Sequence, residues 1–293
     1  MKPLDLVNLT PIMQLSKGSS EVVVGLLDGP VATNHPDLAS ANIRRVSEGV
    51  DGCADPDSAA CMHGTFVAGV LCAERSSSAA GICPGCTVLV RPIFKETPSA
   101  EMRMPRTTPS ELAEAIVECI DAGARVLNLS AALGEPSTRA ERELEEALDY
   151  ARSIGVIVVV AAGNQGTLGS SAITRHPWVI PIVAYDLQGR PTGETNLGSS
   201  IGRRGLRAPG ESITSLGTKG KPLTWGGTSV AAPFATGATA LLWSEFPAAT
   251  AAEVKTAVTS AYGRRRPAVV PPLLNAWAAY EAMAKASAWQ RKG

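Results

Sequence analysis

The sequence has no excess charge of either sign: 27 Lys and Arg stand against 27 Asp and Glu, for a formal net charge of zero. That balance supplies no field for gripping nucleic acid or an anionic bilayer, so neither is expected as a partner. No apolar run approaches the ~18 residues that a membrane helix needs; the longest candidates, such as Val156–Ala162, are strand-sized. Internal repeats and low-complexity segments are also lacking. The opening residues Met1-Lys2-Pro3-Leu4-Asp5-Leu6 carry charge and a proline where a signal peptide needs an apolar stretch, which gives the expectation of a cytoplasmic protein. Histidine is scarce, with only His35, His63 and His176 available for imidazole chemistry. The six cysteines are expected as reduced thiols. Cys83-Pro84-Gly85-Cys86 is the only CxxC, and Cys53 and Cys61 are too loosely spaced to complete a zinc site; a local disulfide is the remaining alternative. No metal and no cofactor are expected.

What is present is a core. Hydrophobic residues make up 45% and charged residues 18% of 293, which excludes disorder. Glu21–Leu27 is an apolar, β-branched run of the kind found in strands buried on both faces, and similar runs recur at Thr87–Ile93, Ala124–Leu129, Gly155–Ala162 and Trp178–Tyr185. Helical patterns lie between and after them: from Pro109 to Gly123, from about Thr138 to Ile154, from Thr228 to Phe246, near Ala251–Ser260, and from Pro272 to about Gln290. A further short strand is expected near Gly205–Ala208. This alternation predicts an α/β three-layer sandwich with a mostly parallel central sheet and helices on both faces. Residues 1–20 read as an N-terminal extension and 21–293 as a single domain. The stretch Lys95–Thr108, with Met102, Arg103 and Arg106, is long for a connection and is a candidate functional loop.

Three polar residues stand out by position. Asp28 ends the first buried strand, where groups in open parallel sheets meet their ligands. His63 opens a helical pattern, His63-Gly64-Thr65-Phe66-Val67-Ala68-Gly69. Ser229 follows a glycine turn in Gly226-Gly227-Thr228-Ser229-Val230-Ala231-Ala232-Pro233 and begins a long helix. Singly, such residues are usually caps, turns or structural groups. Together they are the set that nucleophilic catalysis needs, because serine requires a base and that base an orienting carboxylate.

In that chain order, Asp then His then Ser, the sequence resembles the subtilisin-like serine proteases, the subtilases. Val22–Asp28 with Asn34-His35-Pro36-Asp37-Leu38 is similar to the family's aspartate segment, His63–Gly69 to its histidine segment, and Gly227-Thr228-Ser229-x-Ala231-x-Pro233 to its serine segment. Ala161-Ala162-Gly163-Asn164-Gln165-Gly166 matches the segment carrying the oxyanion-hole asparagine. The resemblance implies a serine endopeptidase in which Ser229 is the nucleophile, His63 the general base, Asp28 its orienting acid and Asn164 an oxyanion donor. It also implies a peptide or protein substrate bound as an extended strand, between Ser130, Ala131 and Ala132 on one wall and Ala161, Ala162 and Gly163 on the other. Pro233, four residues beyond Ser229, is expected in the first turn or so of its helix.

The departures are specific. Gly29-Pro30 follows Asp28 where most members carry a hydroxyl residue, so the aspartate must be steadied by backbone N–H groups. Phe66 stands where many members have a second histidine. Ala73–Ala80 lacks the Asn and Asp oxygens of the family's calcium loop, so no tight calcium site is expected there. About twenty residues precede the first strand, which suits an unprocessed enzyme of narrow specificity. Asp28-Gly29-Pro30-Val31, Cys83–Cys86 with Arg91-Pro92-Ile93-Phe94, and Ala208-Pro209-Gly210-Glu211 are similar to the cyanobactin-type proteases that mature ribosomal peptides, and hydrolysis is favoured over transpeptidation because no lid insertion is visible near His63. The alternatives are a catalytically idle subtilase fold that binds peptides, and a nucleotide-binding enzyme, against which Gly25 and Gly29 fail the GxGxxG spacing.

Overall fold

The computed structural model describes residues 2–46, 52–96, 107–130, 141–260 and 268–290. Helices α1 (Pro3–Leu6) and α2 (Thr10–Leu15) precede strand β1 (Val23–Asp28), followed by β2 (Asn42–Arg45), α3 (Ala59–Cys72) and β3 (Thr87–Pro92). Then come α4 (Pro109–Asp121), β4 (Val126–Leu129), α5 (Arg142–Ile154), β5 (Ile157–Ala161), α6 (Ala172–Arg175) and β6 (Val179–Tyr185). The chain continues through α7 (Ser199–Arg204), β7 (Leu206–Pro209), β8 (Ile213–Ser215) and β9 (Leu223–Trp225), and ends with α8 (Thr228–Glu245), α9 (Ala251–Ser260) and α10 (Ala276–Gln290).

Seven strands form one parallel sheet in the order β2-β3-β1-β4-β5-β6-β7, and β8 pairs with β9 as a separate antiparallel hairpin. Because side chains alternate along a strand, each strand feeds both faces. Val24 and Leu26 of β1, Val88 and Val90 of β3, and Ile157 and Val159 of β5 pack with α3 and α8. Their neighbours Val23, Leu27, Leu89, Val158 and Val160 pack with Leu112 and Ile116 of α4 and Leu144 and Leu148 of α5. This is the expected three-layer α/β architecture. Among the described residues no helix is long and apolar enough to cross a membrane.

Local chemistry accounts for the helix boundaries. Thr108 accepts the Glu111 N–H at the start of α4, where Pro109 occupies a position whose N–H would be idle. Gly155 closes α5 in the left-handed conformation. Helix α8 is buried nearly all round and runs through the middle of one layer, which requires its uniformly small and apolar surface. Pro233 sits in its interior, beyond the first turn, so it removes the bond that would otherwise run to the Ser229 carbonyl.

Some elements differ from the sequence reading. Helix α3 begins at Ala59, capped by Ser58, so His63 lies one turn inside it. Helix α10 begins at Ala276 rather than Pro272, because Leu273 bridges to Arg207 of β7 and the chain pairs there. The exposed edge strand β2, with Arg44 and Arg45, has no apolar run to announce it. Residues 97–106 of the candidate loop lie outside the described residues, among them Met102, Arg103 and Arg106. In the first twenty residues, Val7, Leu9 and Ile12 are fully buried, and Val7 accepts the Ala276 N–H.

The expectation of six reduced thiols is overturned at one pair. Cys53 and Cys61 form a disulfide with a Cα–Cα distance of 5.4 Å, because the loop before α3 folds back over its first turn. Cys72, Cys83, Cys86 and Cys119 are free and buried. Burial pushes the Cys72 and Cys119 thiols up to about 12. The Cys83 thiol, hydrogen-bonded to the Cys86 thiol and buried, is also held well above the ordinary range. At Ala73–Ala80, Arg75 threads inward and donates to the carbonyls of Met13, Ser16 (2.6 Å), Gly81 (3.2 Å) and Ile82 (2.9 Å), tying the N-terminal stretch to the chain after α3.

Two outcomes follow. Arg75→Met leaves those carbonyls without a donor and is expected to cost roughly 3 kcal/mol, read as a fall in calorimetric Tm, whereas EDTA leaves the wild-type Tm unchanged. Thiol titration without reductant at pH 8 is expected to find none in the native protein and four after denaturation, at Cys72, Cys83, Cys86 and Cys119.

Candidate active site

The site lies at the carboxyl end of β1, which stands between β3 and β4, where the strand order switches from one half of the sheet to the other. Asp28 is the last residue of β1 and is fully buried. The strand end and α3 meet backbone to backbone: a Cβ at Gly29 would stand 1.9 Å from the Ala60 carbonyl oxygen, and one at Gly64 would stand 2.3 Å from Gly29 O. With no side chain at either position, His63 Nδ1 comes within 2.7 Å of Asp28 Oδ1. A carboxylate can only accept, so Nδ1 carries the proton and Nε2 is left as an acceptor. Nε2 is 2.9 Å from Ser229 Oγ, on the first turn of α8. The three residues singled out in the sequence are therefore brought into one hydrogen-bonded chain.

Asp28 Oδ1 also accepts the Gly29 N–H at 2.6 Å, while Oδ2 is buried with no partner among the described residues. One backbone N–H steadies the carboxylate, and Pro30 has none to add.

Asn164 lies just beyond β5. Its Oδ1 accepts the Thr228 N–H at 2.8 Å, and Gly163 N–H donates to Thr228 Oγ1 at 3.1 Å. This reciprocal pair turns the Asn164 Nδ2 donors away from Thr228. Gly227, at φ +120°, brings the chain so close that a Cβ there would lie 3.0 Å from Nδ2. In the same turn Val230 and Ala231 N–H go to Gly227 O, whereas helix geometry gives Ser229 N–H no acceptor within α8. The Asn164 amide is thereby held against the Gly227–Thr228 turn that leads into Ser229.

Of the expected substrate walls, Ser130 follows β4 and accepts from Asn128 Nδ2 at 3.2 Å, and Asn128 Oδ1 accepts from Thr236 at 2.8 Å. Ala161 and Ala162 are 1% and 5% exposed, on the neighbouring strand end. Ala131 and Ala132 lie outside the described residues.

Two residues escaped the sequence reading. Trp225 of β9 stacks on His63, with ring centroids 5.5 Å apart, and Phe66, one turn along α3, braces it at 5.4 Å. Asn196, in the Gly-rich stretch after β6, is buried beneath the Asn164 loop. Neither carries a signal readable from spacing. Among the described residues one group has metal-ligand spacing, Cys53, Cys61 and Glu96. Its sulfurs are bonded to each other, and Glu96 is engaged with the N–H groups of Ala54 and Asp55 and with Ser58 Oγ.

Comparison with known proteins is consistent with this geometry. The model of the subtilase family, Peptidase S8, matches residues 19–275. A thermophilic serine proteinase from Bacillus sp. (strain AK1) is 33% identical over 233 residues, covering 79% of this chain and 54% of that protein. Subtilisin amylosacchariticus from Bacillus subtilis subsp. amylosacchariticus is 31% identical over 241 residues, covering 80% and 59%. The chain therefore matches less than two thirds of the length of these relatives. Among solved structures, a mutant of the protease domain of PatA superposes with a TM-score of 0.84 at 28% identity, covering 92% of this chain and 97% of that one. The prenylagaramide maturation protease PagA does so with 0.81 at 26% identity, covering 93% and 97%. With the family match extending from before β1 past the helix that carries Ser229, this chain belongs to the subtilase family.

Proposed function

We propose that this protein is a serine endopeptidase that hydrolyses peptide bonds in precursor peptides. The observation that carries the reading is the unbroken chain from Asp28 Oδ1 through His63 to Ser229 Oγ. Ser229 Oγ attacks the scissile carbonyl carbon as its proton passes to His63 Nε2. Asp28 holds the imidazole in the tautomer that leaves Nε2 free and stabilises the imidazolium that forms. Asn164 Nδ2 and Ser229 N–H donate to the oxyanion. His63 then protonates the leaving amine, and water, deprotonated by the same nitrogen, releases the acyl group.

The substrate binds extended along the strand ending at Ser130, with Ala161, Ala162 and Gly163 opposite, so that backbone hydrogen bonds supply affinity. Two relatives that share almost the whole of this fold are maturation proteases, the patellamide enzyme PatA at 29% identity and PagA at 26%, which supports precursor peptides as the substrate class. Trp225 covers one face of His63 and excludes water from it, with Phe66 behind.

A fluorophosphonate probe should label Ser229, and labelling should vanish in Ser229→Ala; a folded wild-type protein that neither labels nor cleaves any member of a peptide library overturns the reading. Asn164→Ala is expected to lower kcat about 10²–10³-fold, the cost found for the equivalent donor in subtilisin, with KM little changed. Trp225→Ala forfeits an aromatic contact of about 0.5–1.5 kcal/mol and should lower kcat/KM roughly three- to tenfold. Trp225→Phe should restore most of that loss in the same assay.

A further inference from the structure

The loop that carries Asn164 is held from below by one buried side chain. Asn196 is 6% exposed, and both ends of its amide are spent on residues flanking Asn164. Its Oδ1 accepts from Gln165 N (3.0 Å), Thr167 N (3.1 Å) and Thr167 Oγ1 (3.0 Å). Its Nδ2 donates to Gln165 Oε1 (2.7 Å) and Ala162 O (3.3 Å), and its backbone N–H donates to Gly163 O at 2.9 Å. These six bonds reach residues 162, 163, 165 and 167 and leave Asn164 itself to Thr228.

Asn196 is itself anchored. The hydroxyl of its neighbour Thr195 accepts the Ala184 N–H of β6 at 3.2 Å, and Gly166 N–H bonds Glu194 O at 2.7 Å. Strand β6 thus reaches the Asn164 loop through the 194–196 segment, in which the Asn196 side-chain amide makes five of the contacts. The chemistry demands an amide at this point. The N–H groups of Gln165 and Thr167 share one acceptor while Ala162 O and Gln165 Oε1 take a donor, and a carboxamide offers both within one short planar group.

We propose that Asn196 is a positioning residue for peptide hydrolysis, holding the 162–167 loop so that the Asn164 donor meets the oxyanion as charge develops. The proposal rests on the protease reading. Asn196 touches neither substrate nor the reacting atoms; it acts through Asn164, and a displacement of about 1 Å in such a group can cost roughly 10²-fold in rate. An aspartate at 196 would keep the acceptor, lose the donor, and set a charge against Gln165 Oε1 and Ala162 O.

The test is a double-mutant cycle on the full chain with a cleavable peptide. Asn196→Ala is expected to lower kcat about 30–100-fold with KM within about threefold, while in the Asn164→Ala background the same change should cost less than about threefold more. Asn196→Asp should lie between wild type and alanine, and it supplies the same cycle should the alanine variant fail to fold. An equal loss of kcat in both backgrounds, or a loss confined to KM, overturns the proposal. If Ser229→Ala retained full activity the protease reading itself would fail. A wild-type kcat in either Asn196 variant, in an enzyme that Asn164→Ala cripples, would sink the positioning role alone.

Discussion

The close approach of the end of β1 to the first turns of α3 is the constraint on which the site depends. Asp28 and His63 come from different elements, and their 2.7 Å bond exists because Gly29 and Gly64 let two backbones touch. A methyl group at either position would drive the helix from the strand and open the carboxylate–imidazole pair. Burying Asp28 completely carries a desolvation cost, which the His63 and Gly29 donors on Oδ1 offset. Neither donor reaches Oδ2, so the orientation of this aspartate depends on one oxygen.

Around that contact the molecule builds supports from its far end. The N-terminus of α8 presents Ser229 while Thr228 reaches across to fix Gly163 and Asn164, so the Ser229 hydroxyl and the Asn164 amide are referenced to the same turn. The β8–β9 hairpin lays Trp225 on His63, and its tip is tied to the loop before α3 by Thr218 bonding Pro56 O at 2.6 Å and by the Lys219–Asp57 ion pair. The Cys53–Cys61 bridge closes the same loop two residues before His63. Just beyond the C-terminal end of α3, Arg75 gathers carbonyls from the N-terminal stretch and from the chain after the helix.

Much of this was legible one residue at a time. Buried parallel strands announce themselves by apolar runs, and β1, β3, β5 and β6 fall where those runs lie. Asp28, His63, Asn164 and Ser229 stand in short segments whose glycines are demanded by geometry, which keeps them recognisable. The polar edge strand β2, the three-residue strands β8 and β9, and the start of α10 were not legible, because pairing with a distant partner forms them and local preference does not. Asn196 and Trp225 belong to the same class. One is an asparagine in a Gly-rich stretch and the other a tryptophan before a glycine pair, and their importance comes from what lies beside them.

The amino-acid order determined the alternation of strand and helix, the burial of the central sheet and the identity of the groups at its carboxyl edge, since periodicity and short-range backbone geometry are encoded in adjacent residues. It also showed that no hydroxyl follows Asp28. Only the tertiary structure decided which cysteines pair, that Phe66 braces a tryptophan against the histidine, and which amide holds the Asn164 loop. The reason is physical. Those outcomes are distances between groups far apart along the chain, and a distance across the fold is set by the packing of the elements between.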